Sequence, residues 1–198
     1  MNLLGTIASI YVPAFIKKRE LINLFAMTGS AFGSEVPALA ELSFNECLTE
    51  YASYTKMVVE HSVDRLHNLG GSRQQLCRGA FELGSRLRKR FGVESVKDVM
   101  RACRILYKCI GIDFTGTPQG DITIHSCFFS RFYSDQVCGI ISCIDKGLVA
   151  GLSGGGRLTF TQRITEGFGA CKANYVPQED LRENSHRGGY GSWWCNCC

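Results

Sequence analysis

The sequence carries no large excess of charge of either sign. Its 22 basic residues stand against 18 acidic ones, a formal net charge of +4. Such a balance gives no reason to invoke nucleic acid as a partner. The densest basic run, Arg86 to Arg90, falls inside an amphipathic pattern and reads as a solvated helix face. An apolar run long enough to cross a bilayer is also missing. Leu3 to Ile16 is apolar but interrupted by Pro13, and about fourteen residues is too short for a span. Lys17, Lys18 and Arg19 follow that run, whereas a signal peptide has its charges first. No internal repeat is visible. There is no even cysteine framework, since the eleven cysteines are odd in number and irregularly spaced. That argues against a secreted disulfide scaffold and for a reducing, cytoplasmic setting. There, cysteine serves mainly as a small buried hydrophobe.

Two catalytic signatures are incomplete. Glu60-His61 lacks the second histidine, four residues on, that a zincin helix needs. Gly154-Gly155-Gly156 lies between a helical pattern and a strand, the reverse of a phosphate cradle, and reads as a flexible connection.

What is present fits one domain. The 198 residues are 45% apolar and 20% charged, as in an ordinary globular chain. Residues 1–38 predict two short elements punctuated by Gly29, Gly33 and Pro37, a segment that docks on the core or covers a dimer face. Residues 39–176 read as a single α+β domain. A helix is predicted from Ala40 to His67, stopped by Gly70-Gly71. Ser72 with Gln75 suggests a capping box for the next helix, which runs to Phe91 and ends at Gly92. Ser95 with Asp98 opens a third, ended by Gly111. The period then changes. Ile112–Thr115 and Asp121–Phe129 predict a hairpin, and Ser134 caps a helix to about Leu152. Leu158–Thr165 alternates cleanly, with Leu158, Phe160, Gln162 and Ile164 on one side and Thr159, Thr161, Arg163 and Thr165 on the other. Ala170–Val176 returns. Two hairpins joined by a helix give a four-stranded antiparallel sheet with helices packed on it. Residues 177–198 are charged, Gly-rich and Cys-rich at the end, and read as a disordered tail.

The elements from Leu76 to Tyr175 resemble the ligand-binding fold shared by the 4-vinyl reductase domain and the TRAPP vesicle-tethering subunits. The residues that carry this are Ala80-Phe81-Glu82-Leu83-Gly84, then Cys138 with Gly147, Ala150 and Gly151, then Thr165-Glu166-Gly167-Phe168-Gly169-Ala170-Cys171. The closing segment, with Cys127, is similar to the L-2-amino-thiazoline-4-carboxylic acid hydrolase family. That resemblance implies a small-molecule hydrolase acting on a cyclic C–N bond of thiazoline or amidine type. The alternatives it leaves open are a non-enzymatic sensor or carrier of a small ligand and a protein–protein scaffold. The fold often pairs, so a homodimer is compatible with it.

The residues themselves nominate a site. Alternation puts Cys127 on one face with His125 and Phe129. Cys138 falls in the first turn of the helix after Ser134, where the dipole lowers a thiol pKa. Cys171 follows the closing turn. Three thiolates near one end of a sheet, with His125, are a donor set for zinc or iron with a position left for water. The competing reading is three small buried apolar side chains. Asp145 is seven residues after Cys138 and returns to its face, as a general base or supporting partner. Cys143 lies about 140° around the helix and is set apart. Glu166 is an acid/base candidate beside Cys171, or simply a turn glutamate paired to Arg163. Arg163, like His125, is a candidate for binding substrate, since its fork suits a carboxylate.

Overall fold

Leu21, Phe25 and Thr28 recur at helical spacing and are buried along one side of the first helix in the computed structural model, which describes residues 12–64 and 69–178. This helix, α1, is Ala14–Phe32. It is one continuous element where two short ones were expected. Gly29 lies inside it, at a point where a side chain would meet the Ser34 carbonyl and the Tyr54 hydroxyl. The helix stops instead at Gly33, which takes the left-handed conformation (φ 64°).

Helix α2 is Phe44–Asp64, later in starting than the periodicity predicts. Its start is fixed by a reciprocal cap. Ser43 N donates to Glu46 Oε2 (2.7 Å), and Glu46 N donates to Ser43 Oγ (3.4 Å). His67 lies outside the described residues, as does the tail beyond residue 178 with its Trp193–Cys198 end. Helix α3, Leu69–Phe91, already includes Gly70 and Gly71. Ser72 is therefore inside the helix and not its cap, and Gln75 Nε2 donates to Ser30 Oγ on α1 instead (2.8 Å). Helix α4, Val96–Cys109, has the expected cap: Ser95 accepts from Asp98 N, and Asp98 accepts from Ser95 N.

Strands β1 (Ile112–Gly116) and β2 (Asp121–Cys127) form the first hairpin. A 3₁₀ turn, Phe128–Arg131, and helix α5, Asp135–Ser153, follow. Strands β3 (Arg157–Gln162) and β4 (Cys171–Val176) form the second hairpin around a short 3₁₀ turn, Ile164–Glu166. The four strands lie in the order β1-β2-β4-β3, every neighbour antiparallel. The predicted α+β class, a four-stranded antiparallel sheet with helices, is thus present. Ile112, Phe114, Ile122, Ile124, Leu158, Cys171, Ala173 and Tyr175 point into one core with the helices. Asp113, Thr115, His125, Thr159 and Lys172 are exposed on the other face.

Helix α5 is pressed against α3 through glycines. A side chain at Gly147 would strike the Cys77 carbonyl, one at Gly151 the Phe81 carbonyl, and one at Gly84 the Leu148 carbonyl. Close approach of the two backbones therefore requires those three residues. It also settles which side of α5 faces α3. Cys143 is fully buried there with Ala31, Leu76 and Cys77. The opposite side of α5, bearing Cys138 and Asp145, is free to face other elements.

Two irregularities in the sheet decide what those other elements present. Ile112 pairs with Cys127 and Phe114 with Ile124, so His125 is the extra residue of a bulge in β2. Phe160 pairs with Ala173 and Gln162 with Lys172, so Thr161 is the extra residue of a bulge in β3. Each bulge reverses the alternation beyond it. Simple alternation puts Cys127 with His125, and Arg163 with Thr161. The structure separates both pairs. Cys127 and Arg163 turn inward, and His125 and Thr161 stay exposed outside.

Candidate functional site

Asp145 is the centre of the inward cluster. It keeps partial solvent contact along its length, yet protein closes around its carboxyl group. Tyr107 on α4 donates a hydrogen bond to Asp145 Oδ1 at 2.6 Å. The Tyr107 ring is itself fixed by stacking on Phe114 of β1, with centroids 5.1 Å apart and planes 3° from parallel. Desolvation raises the Asp145 pKa to about 6, and the Tyr107 hydrogen bond and the Arg163 and Lys146 charges hold it from going higher. Burial is the larger effect, so this carboxyl titrates close to neutrality.

Arg163 reaches the same place because of the β3 bulge. Its guanidinium lies 5.0 Å from the Phe160 ring centroid and forms a 2.9 Å ion pair with Glu166. Nη2 also lies 3.5 Å from Ser142 Oγ on α5. Glu166 spends both oxygens locally, one on the Arg163 side chain and one on Arg163 N (2.9 Å). It is exposed, and its geometry is that of a turn glutamate holding Arg163 in position.

The thiols surround this centre. Cys103, Cys127, Cys138 and Cys171 all feel the Asp145 charge. Burial raises every one, Cys103 to about 12 and Cys127 to about 11. Cys138 is also raised by burial, with Arg163 partly opposing it, so the expected lowering by the helix dipole does not hold. Its position also weakens the dipole effect, because Cys138 N already donates to Ser134 O (2.9 Å) and so lies past the orphan amide groups of the helix start. Cys171 Sγ accepts from Ile164 N at 3.3 Å, yet burial still raises it.

Three buried polar atoms beside these thiols have no hydrogen-bond partner: Tyr133 OH, Arg163 Nε and Thr165 Oγ1. Thr165 leans toward the Cys138 sulfur and Tyr133 toward Thr55, neither at hydrogen-bonding geometry. An orphaned buried polar group costs about 1–3 kcal/mol. Three around one cluster mark a place where a polar guest or water would be stabilised.

The structure therefore brings Cys127, Cys138, Asp145, Arg163 and Cys171 into one neighbourhood and leaves His125 on the far face of the sheet. A zinc or iron site would need thiolates converging on one point. Burial here favours protonated thiols, and among the described residues no three His, Cys, Asp or Glu side chains are arranged to hold a metal ion. Sequence reasoning missed Tyr107 and Tyr133. The signal for Tyr107 was the stripe Met100, Cys103, Tyr107 at steps of three and four, which places a tyrosine on a buried face. Tyr133 had none, because it precedes the helix and belongs to no period.

No family model matches the chain, and no curated protein matches it.

Proposed function

We propose that the chain hydrolyses a cyclic C–N bond in a small thiazoline- or amidine-type molecule, with Asp145 as the general base. The observation that carries the reading is the carboxyl of Asp145, oriented by Tyr107 and held near pH 6 by desolvation. A base poised just below the working pH is mostly ionised and still accepts a proton well. In the reaction, Asp145 takes a proton from water as its oxygen adds to the amidine-like carbon, and passes that proton to the ring nitrogen. The added hydroxyl then gives its proton through Asp145 to the same nitrogen as the ring C–N bond breaks, leaving a carbonyl on the carbon and a free amine. Arg163, with its unpaired Nε, receives a carboxylate on the substrate. The neutral thiols of Cys138 and Cys171 line the site. Support from sequence is the resemblance to thiazoline carboxylate hydrolases, within a fold of the 4-vinyl reductase and TRAPP type.

The test is turnover of 2-amino-thiazoline-4-carboxylate by the full chain and by Asp145→Asn. Ring opening by the native chain, lost in the variant, supports the reading. Equal turnover in the two removes Asp145 from the chemistry, and no turnover in either overturns the hydrolase assignment.

One observation favours a second reading, a carrier or sensor. Protonated thiols and three unpaired polar atoms suit holding a small polar ligand without reacting with it. Native mass spectrometry showing a co-purified organic molecule that Arg163→Ala loses would favour it over catalysis.

A further inference from the structure

Four basic side chains lie along one side of α4: Lys97, Arg101, Arg104 and Lys108, all exposed. Steps of four, three and four keep them in line over about 16 Å, at 1.5 Å of rise per residue. Arg19, Lys56, Arg78 and Arg163 each have a carboxylate within reach, while among the described residues none of the four on α4 has one, as is also true of Arg86 and Lys89 on α3. The only carboxylate of this helix, Asp98, is buried and bonded to Ser95. Like charges at these steps destabilise a helix. Lys97 stands in the first turn, where the helix dipole disfavours a cation. Only Lys108, in the last turn, stands where the dipole favours a cation.

A hollow of about 210 Å³ lies against it, formed by Lys97, Arg101 and Arg104 with Met100, Gly116 and Pro118. It is smaller than sites that enclose a whole small molecule, roughly 300–1,000 Å³. Three cations around so small a space suit one compact anionic group. No aromatic ring lines it, so it offers no platform for a stacked base.

We infer that this face of α4 binds phosphate groups, seated between Lys97, Arg101 and Arg104, with Lys108 extending the contact along a phosphate chain. The chemistry is shared by a nucleic-acid backbone read without its bases and by a compact diphosphate. The near-neutral total charge hides this surface, because the four residues are spread over twelve positions while the densest basic run lies on α3.

The test uses the full chain, with inorganic pyrophosphate in a calorimeter and a fluorescein-labelled single-stranded oligonucleotide in an anisotropy titration over a salt series. Arg101→Gln with Arg104→Gln removes the centre of the stripe. Arg86→Gln with Lys89→Gln removes the same charge from exposed positions of α3. The expected result is salt-sensitive binding of at least one probe. For the oligonucleotide, the slope of log affinity against log salt should fall by about one to two in the α4 variant and stay unchanged in the α3 variant. For pyrophosphate, affinity should drop in the α4 variant alone. Oligonucleotide binding without pyrophosphate binding identifies a strand as the source, and the converse identifies a compact diphosphate. Binding of neither probe, or equal losses in the two variants, overturns the inference.

Discussion

The hydroxyl of Tyr107 sits 2.6 Å from Asp145 Oδ1, joining α4 to α5 through a carboxyl group closed in by protein. Charge-assisted bonds of this kind are worth roughly 1.5–3 kcal/mol. This one favours the ionised form of Asp145, against burial, which favours the neutral form. Tyr107→Phe removes the favourable partner and leaves the ring stacked on Phe114. The Asp145 titration should then move above 6, and any activity that needs the ionised carboxyl should shift its acid limb to higher pH. A pH–rate profile of the two proteins checks this.

Stability should depend on pH through the same group. The folded pKa of Asp145 is raised above the unfolded value near 3.8. The neutral carboxyl is therefore favoured by folding, and the contribution is full below pH 4. It is lost as pH rises through about 6, by no more than about 3 kcal/mol. The groups facing it, Tyr107, Cys103, Cys127, Cys138 and Cys171, are all raised by burial and stay protonated in this window. Urea melts at pH 4.5 and 7.5 should differ in that direction. Asp145→Asn should flatten the difference and be at least as stable as the native chain at pH 7.5.

The thiols should react slowly at neutral pH. Alkylation of Cys127, Cys138 and Cys171 by iodoacetamide, followed site by site in a mass spectrometer, should lag behind free cysteine and accelerate as pH passes 9. Arg163→Gln removes the cation that opposes burial at Cys138 and Cys171. It should slow both sites further and leave Cys127 unchanged.

Glycine at 147 is a packing requirement. Alanine normally gains about 1 kcal/mol over glycine in a helix. Here its methyl would strike the Cys77 carbonyl, which belongs to the backbone of α3 and cannot swing aside. Gly147→Ala should lower stability by roughly 1–3 kcal/mol, read from a denaturant midpoint. Gly139→Ala on the same helix meets nothing within 4 Å and should be neutral or stabilising.

Much of the architecture could be read from the order of periods. The Ser95–Asp98 cap, the Ser134 cap and the two hairpins around α5 all follow from local chemistry that the tertiary structure leaves in place. Helix geometry also separated Cys143 from Cys138 and Asp145, and Cys143 does pack apart from them. Glycine misled in two places. Gly29 and Gly70-Gly71 look like breaks, yet they lie inside helices. At Gly29, close packing against Tyr54 outweighs a weak local preference.

The site was legible in its members and not in its arrangement. A bulge has no reliable signature in a strand, so alternation put His125 beside Cys127 and sent Arg163 to the solvent face. One inserted residue in each of β2 and β3 reversed both assignments. Desolvation is equally invisible in a sequence. The dipole argument for Cys138 was sound for an exposed first turn, and burial outweighs it here.

The most direct measurement is the titration of the Asp145 carboxyl itself. The ¹³Cγ resonance of Asp145 in the full chain, assigned by its absence in Asp145→Asn, is followed from pH 3 to 9. A midpoint at about 6 is the expected result. A midpoint near the ordinary aspartate value of about 3.9 would mean that the carboxyl is open to water. It would then be no poised base, and the proposed chemistry would lose its centre.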